Sequence, residues 1–172
     1  MPIYMTPEGI EQLKQRMAKE ETELASVRKE KAVAYTQSGD QWHDNPGFNQ
    51  LEQAELRKLK QIAEMHSRLA DAVVVNVEPR DVDHVSIGSI VRYLRVNEDN
   101  GESQTGLLEI VGFGEGNPQR STVSYNSPLG MGLMGLNPGE SRTDESGLGI
   151  FTYEVLALYP SWEAALDDRP SQ

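Results

Sequence analysis

Residues 38–48 read SGDQWHDNPGF, and they separate a pair of long, charged segments that both carry helical periodicity. A connector between helices needs only a stop, a start and some polar filler. This one holds Asp40, Trp42, His43 and Asp44 within five residues. Its reading decides the fold of the first half of the chain.

Upstream, Thr6 can cap free backbone N–H groups, Pro7 suits a first helical position, and Glu8 favours the positive end of the helix dipole. Ile10, Leu13, Met17, Leu24, Val27 and Ala34 then recur at spacings of three and four, with no Pro or Gly between Ile10 and Gln37. Glu20 and Lys31 fall where apolar residues are expected, so the seam is imperfect. Downstream, Asn45 caps a second helix starting at Pro46 and running into the low seventies. Phe48, Leu59, Ile62, Leu69 and Val73 mark its seam, widened by Leu51, Leu56 and Ala63. Two helices of roughly 26–30 residues extend about 40–45 Å each. Their short connection predicts an antiparallel coiled-coil hairpin over residues 1–76, with its tip at 38–47.

After Val75-Asn76-Val77 the period changes to two. HVSIGSIVRYLR (84–95), GLLEIVGF (106–113), Thr122–Tyr125 and IFTYEVLALY (150–159) read as strands, with turn signals at 97–101, 114–118 and 137–139. A short helix is expected around 129–136. The reading for 77–160 is a small, mainly antiparallel β domain, and for 161–172 a tail with one helical turn, otherwise loose. The fold class is α+β.

The 172 residues contain no cysteine, which excludes disulfides, thiolate catalysis and thiolate zinc sites. No apolar run approaches a membrane span and the N-terminus lacks signal-peptide character, so a soluble cytoplasmic protein is expected. The formal charge of −11 is unevenly spread. Residues 1–76 hold 10 Lys+Arg against 12 Asp+Glu, residues 77–172 hold 6 against 15, and no lysine follows Lys60. General attraction to duplex nucleic acid is excluded, while a basic protein surface or channel suits this charge.

Three stretches, in order, carry a resemblance. MTPEGIEQLKQRM (5–17) opens the first helix, VSIGSIVRY (85–93) followed by LLEIVGF (107–113) opens the β domain, and Val123-Ser124-Tyr125-Asn126-Ser127-Pro128 leads to Pro138-Gly139-Glu140. The chain resembles the bacterial GreA/GreB transcript-cleavage factors from about Met5 to Tyr159. The resemblance implies a hairpin joined to an FKBP-like β domain that docks on the rim of the RNA polymerase secondary channel. It also implies a tip whose acids help bind a second magnesium ion of the polymerase and orient water for hydrolysis of backtracked RNA. Such a factor is not itself an enzyme, has no cofactor of its own and acts through the polymerase's Mg2+.

On that resemblance Gly39-Asp40 and Asp44-Asn45 match a G-D-x-x-E-N tip motif, with Phe48 its following aromatic. Two departures stand: one extra residue separates the acids, and Asp44 replaces the usual glutamate. Asp40 and Asp44 therefore have two readings, as metal-assisting carboxylates or as helix caps, and Asn45 shares the capping one. His43 reads as a solvated side chain or a proton carrier near RNA. Trp42 reads as a cover for the hairpin end or a stacking group. Arg28, Lys29, Lys31, Arg57, Lys58 and Lys60 sit at matching heights about 20 Å behind the tip, as an RNA-contacting basic belt or a solvated face of paired charges. Asn126, Ser127 and Pro128 fix a turn and cap the short helix, and with Met131, Met134 and the intervening glycines they are the expected polymerase-docking group. The expected function is stimulation of cleavage of the backtracked RNA 3′ end by a monomeric factor. The alternative is a channel-binding inhibitor without cleavage activity.

Overall fold

The computed structural model describes residues 2–38, 45–146 and 149–168. The chain divides into two compact units, one built of Ile10–Ala72 with the start of the chain through Ile3, the other of Tyr4–Gly9 with the chain from Val73 onward.

The first unit is a pair of helices. α1 runs Pro7–Ser38 and α2 runs Pro46–Ala70. Thr6 caps α1 as the sequence predicts, its Oγ1 accepting from the Gly9 N–H at 3.0 Å. Asn45 caps α2 by accepting from the Gly47 and Phe48 N–H groups, with Pro46 at the first position. Side-chain contacts between the helices join a late residue of one to an early residue of the other: Tyr35 meets Phe48, Arg28 meets Glu55, Lys58 meets Glu23, and His66 meets Glu21. The pair is therefore antiparallel.

Its seam differs from the expected one on α2. Leu56 and Leu59 are exposed, and Val73 lies outside the helix in a short strand, β2 (Ala72–Val74). The positions that close the seam are Phe48, Leu51, Glu55, Lys58, Ile62, Met65 and Leu69, all buried or half-buried and spaced alternately three and four. Glu55 and Lys58 are legitimate seam residues because α1 offers Lys31 and Glu20 to meet them (Lys31 Nζ–Glu55 Oε2 2.7 Å, Lys58 Nζ–Glu20 Oε2 2.8 Å). The two apparent flaws in the α1 pattern are thus answered by two in α2.

In the second unit, β3 (Ile90–Asn97), β4 (Ser103–Val111), β5 (Thr122–Ser124), β6 (Ser141–Ser146) and β7 (Gly149–Tyr159) form one sheet in the order β5-β4-β3-β7-β6. All its pairings are antiparallel except β4 with β5. Strand β3 starts at Ile90, later than the run from residue 84 suggests, because Gly88 at φ 98° breaks the extended path. One face of the sheet, with Val91, Tyr93, Leu108, Ile110, Tyr153 and Val155, is covered by α3 (Pro128–Leu133), whose Leu133 is fully buried. A bulge between Arg92 and Tyr93 shifts the register with β7. The other face holds Ile90 and Tyr159 under α4 (Trp162–Asp167), with Ala165 fully buried.

That last contact corrects the reading of residues 161–168 as one helical turn in an otherwise loose tail; residues 169–172 lie outside the described residues. Ser161 caps α4, and Arg92 donates to the Ala165 and Asp168 carbonyls at its far end. The first strand, β1 (Ile3–Met5), and β6 were not anticipated either. Residues Tyr4–Gly9 are held in the second unit: Thr6 N–H donates to Glu115 Oε1 (2.9 Å), and Thr6 Oγ1 donates to Glu115 Oε2 (2.6 Å).

Candidate functional site

Asp40, Trp42, His43 and Asp44 lie outside the described residues, so their roles are untouched by the geometry. The positions that flank them are clear. α1 reaches Ser38 without a break, α2 begins at Pro46, and the Asn45 side-chain oxygen is engaged in capping. Asn45 is thereby assigned the local structural role that its place before Pro46 suggested.

The basic belt separates into two sets. Arg28, Lys31 and Lys58 are committed to carboxylates across the helix pair. Glu55 accepts from Arg28 Nε (2.8 Å) and Lys31 Nζ, while Lys58 bridges Glu20 and Glu23 (2.6 Å). These bonds hold the Glu55 carboxyl below the ordinary range, Lys31 contributing most and then Arg28. They do the same for Glu23 through Lys58, and they raise the Lys58 ammonium through Glu20 and then Glu23. Lys29, Arg57 and Lys60 are exposed and make no ion pair among the described residues. The free positive charge of the belt is therefore carried by these three.

At the end of the pair toward Ser38 and Pro46, a hollow of about 410 Å³ opens between the helices, lined by Arg28, Lys31, Tyr35, Thr36, Phe48 and Glu55 among others. Phe48 is buried, with Lys31 Nζ 5.5 Å from its ring centre. Tyr35 stands half-exposed beside it, ring centres 6.2 Å apart. Neither the hollow nor the place of Tyr35 in it was read from the sequence. Tyr35 sits one position beyond Ala34 on the seam, and no spacing rule singles it out.

The second unit holds a cavity of about 470 Å³, formed on the α3-covered face of the sheet. Phe151 and Tyr153 of β7 and Arg95 of β3 make one wall, the Arg95 guanidinium lying 5.2 Å from the Phe151 ring centre. Val123 and the α3 start, Ser127-Pro128-Leu129, make another. The Ser-x-Asn-Ser-Pro run builds this corner bond by bond. Ser124 Oγ lies 2.7 Å from the Gly112 carbonyl and 2.6 Å from Asn126 Oδ1, and it accepts from the Gly114 N–H. Ser127 Oγ donates to the Ser124 carbonyl and accepts from the Gly130 N–H, so it caps α3 as expected.

Two glycines of this segment, Gly130 and Gly132, face inward, whereas a Cβ on Gly135 would meet nothing within 4 Å. A Cβ on Gly130 would lie 2.2 Å from the Ser124 carbonyl oxygen, and one on Gly132 would lie 2.4 Å from the Tyr153 ring. They let α3 lie close to its own sheet. Of the two methionines, Met131 is exposed, whereas Met134 packs against the core. Arg142 donates to both their carbonyls. Burial pushes the Tyr153 phenol up, and Arg95 only partly offsets this.

Residues 79–160 match the family model described as "Transcription elongation factor, GreA/GreB, C-term". Among curated relatives, transcription elongation factor GreA of Thermosipho africanus is 28% identical over 156 residues, covering 91% of this chain and 96% of that protein. GreA of Nautilia profundicola is 30% identical over 112 residues, covering 65% and 67%. Among solved structures, GreA factor homolog 1 (Gfh1) of Thermus thermophilus aligns at 23% identity over 92% of this chain and 99% of that one, with a TM-score of 0.43. The similarity to GreA thus extends from the β domain into the helix pair, and the chain belongs to the GreA/GreB family of transcription elongation factors.

Proposed function

We propose that this chain binds bacterial RNA polymerase at its secondary channel and stimulates the polymerase's own cleavage of backtracked RNA. The observation that carries this reading is the antiparallel helix pair of a family member, closed by a segment with two carboxylates between Ser38 and Asn45. A helix of 32 residues extends about 48 Å, enough to carry that segment far from the helix's own start.

The chain supplies side chains to a centre that belongs to another molecule. Asp40 and Asp44 are hard oxygen donors of the kind magnesium takes, and two such groups can complete a metal site that the polymerase half-builds. In the hydrolysis, a water oxygen adds to phosphorus, its proton passes to a nearby base, and the RNA 3′ oxygen leaves. Asp40 and Asp44 would serve as oxygen ligands to the polymerase's magnesium and would orient the water, a positioning task in which an error of about 1 Å costs roughly 10²-fold. Ser127 and Pro128 line the apolar cavity of the β unit, Asn126 hydrogen-bonds the Ser124 that lines it too, and Met131 is exposed on α3, which supports that corner as the polymerase-docking surface. Lys29, Arg57 and Lys60 are the cations best placed to meet RNA phosphates.

The test uses a purified backtracked elongation complex. Shortening of the 3′-extended RNA above the polymerase-alone rate is expected, abolished by Asp40→Ala and by Asp44→Ala with polymerase binding intact. Unchanged RNA with the wild-type chain overturns the cleavage role. The extra residue between the two acids favours one other reading, a channel-binding inhibitor. That reading predicts uncut RNA together with a raised nucleotide requirement for chain extension.

A further inference from the structure

We propose that the α3 face of the β unit's sheet, where it runs out toward the β3–β4 turn, binds a free α-amino acid with a large apolar side chain. Two cavities share Arg95 and Phe151 as walls there. One is the apolar cavity of about 470 Å³ already described. The other, about 420 Å³, is lined by Asn97, Glu102, Ser103 and Gln104 besides the shared pair. Each alone has the size of a small-ligand site. The strand register explains the junction. Arg95 of β3 stands between Gln104 of β4 and Tyr153 of β7, and Asn97 stands beside Phe151. Glu102 lies two residues before Gln104, so its backbone is a diagonal neighbour of Arg95, roughly 7–8 Å away and within reach of two long side chains.

Arg95 is a half-buried cation with no carboxylate partner among the described residues. Of the other described arginines in residues 77–172, Arg80, Arg92 and Arg120 pair with carboxylates, and Arg142 donates to the Met131 and Met134 carbonyls. Arg95 donates only from Nη2, to the neutral Gln104 amide oxygen at 3.2 Å, with the Phe151 ring beneath its plane. Its Nε and Nη1 make no hydrogen bond among the described residues and remain for a ligand carboxylate, in a bond of the charge-assisted kind. A plain anion is opposed by the surroundings, since residues 77–172 hold 15 Asp+Glu against 6 Lys+Arg. A ligand that carries its own ammonium beside the carboxylate is neutral overall. That ammonium meets Glu102, whose Oε2 accepts from Asn100 Nδ2 at 3.0 Å and whose Oε1 takes no hydrogen bond among the described residues. An α-amino acid holds both charges on one carbon, and its side chain then enters the apolar cavity between Val123, Leu129 and Tyr153. An internal peptide segment offers neither charge, so Arg95 and Glu102 together select the free amino acid. Occupancy would crowd the Ser127-Pro128 corner and hinder docking there, a consequence that rests on the functional reading above.

The experiment titrates the full chain, 13C-labelled at the leucine and valine methyls, with L-phenylalanine and without polymerase. Saturable shifts of the Val123 and Leu129 signals are expected. Glycine, which keeps both charges and lacks the ring, should bind about 10- to 150-fold more weakly. Arg95→Gln should weaken L-phenylalanine about 10- to 150-fold, the span of one hydrogen bond between charged groups. The same variant should hold phenethylamine, which has no carboxylate, within about twofold of wild type, and this shows that it is folded. Glu102→Gln, on an exposed side chain, should weaken L-phenylalanine about two- to fivefold. It should leave 3-phenylpropionate, which has no ammonium, within about twofold. No saturable Val123 or Leu129 shift with L-phenylalanine overturns the proposal. So does glycine binding as tightly as L-phenylalanine, or Arg95→Gln binding L-phenylalanine as the wild type does. Failure of the wild-type chain to act on backtracked complexes would count against the functional reading, and the titration would still decide the site.

Discussion

Replacing Gly130 by alanine sets two effects of opposite sign against each other. Gly130 lies within α3, where alanine would gain about 1 kcal/mol from helix propensity. Its new Cβ, however, would lie 2.2 Å from the Ser124 carbonyl oxygen and 2.9 Å from two backbone carbons of Tyr125. These are backbone atoms, and Ser124 is itself held through Gly112, Gly114 and Asn126. Relief requires a shift of about 1 Å between α3 and the strand end, and overpacking of this kind costs about 1–3 kcal/mol, occasionally more. With no flexible side chain to give way, the upper end applies and the net loss is about 2 kcal/mol. For a unit near 100 residues each kcal/mol moves the midpoint by about 4–8 °C, so a fall of about 8–16 °C is expected in calorimetry of the β unit's transition. Gly139→Ala is the control: φ is 85° and nothing lies within 4 Å, so only backbone strain of about 1 kcal/mol applies. Because α3 carries Pro128 and Met131, Gly130→Ala should also weaken polymerase binding while Gly139→Ala does not. An unchanged or raised midpoint for Gly130→Ala would refute the close-approach argument.

Three further outcomes follow from particular contacts. Thr6→Ala removes both the cap on the Gly9 N–H and the hydroxyl donor to Glu115, and should lower stability by about 1–2 kcal/mol in denaturant unfolding. In the helix pair, Lys58→Leu alone strands Glu20 and Glu23 and should destabilise. Adding Glu20→Leu and Glu23→Gln should recover most of the loss, so a non-additive thermal cycle is the expected reading. The same ions set a pH dependence. Glu23 and Glu55 are depressed in the folded chain, so their contribution is present above the usual carboxylate value of 4.5 and is lost as pH falls through their lower folded values. Lys58 is raised, so its contribution is present below 10.5 and is lost as pH rises through its higher folded value. Thermal melts of the helix pair should therefore be level at neutral pH, decline in acid and at strong alkali, and flatten in high salt.

What the sequence showed plainly was local. Thr6-Pro7 and Asn45-Pro46 declare helix starts whose chemistry lies within four residues, and both caps form as read. Alternation in 106–113 and 150–159 marks strands because β4 buries Leu108 and Ile110, and β7 buries Tyr153 and Val155, at every second position on the face under α3. The α2 seam was misjudged because Leu56 and Leu59 look more like core than Glu55 and Lys58. Only the opposed Lys31 and Glu20, more than 20 residues away, make charges acceptable there. Strand β6, SRTDES, has no apolar signature because it is a polar sheet edge paired on one side only. The second cavity draws Arg95, Val123, Leu129 and Phe151 from four separate elements, and no single-sequence pattern unites residues so far apart. Tyr35 escaped notice for a related reason: its neighbour Phe48 lies on the other helix.

The central claim is that residues 39–44 act beside a catalytic magnesium that another molecule holds. The chain has no cysteine, so Gln41→Cys would create a single thiol on which to mount an iron chelate that generates hydroxyl radicals. In a backtracked elongation complex, cuts should cluster on the polymerase segments around its catalytic magnesium and on the extruded RNA near its 3′ end. Cuts confined to the polymerase exterior, or none above the level of free chelate, would contradict the account.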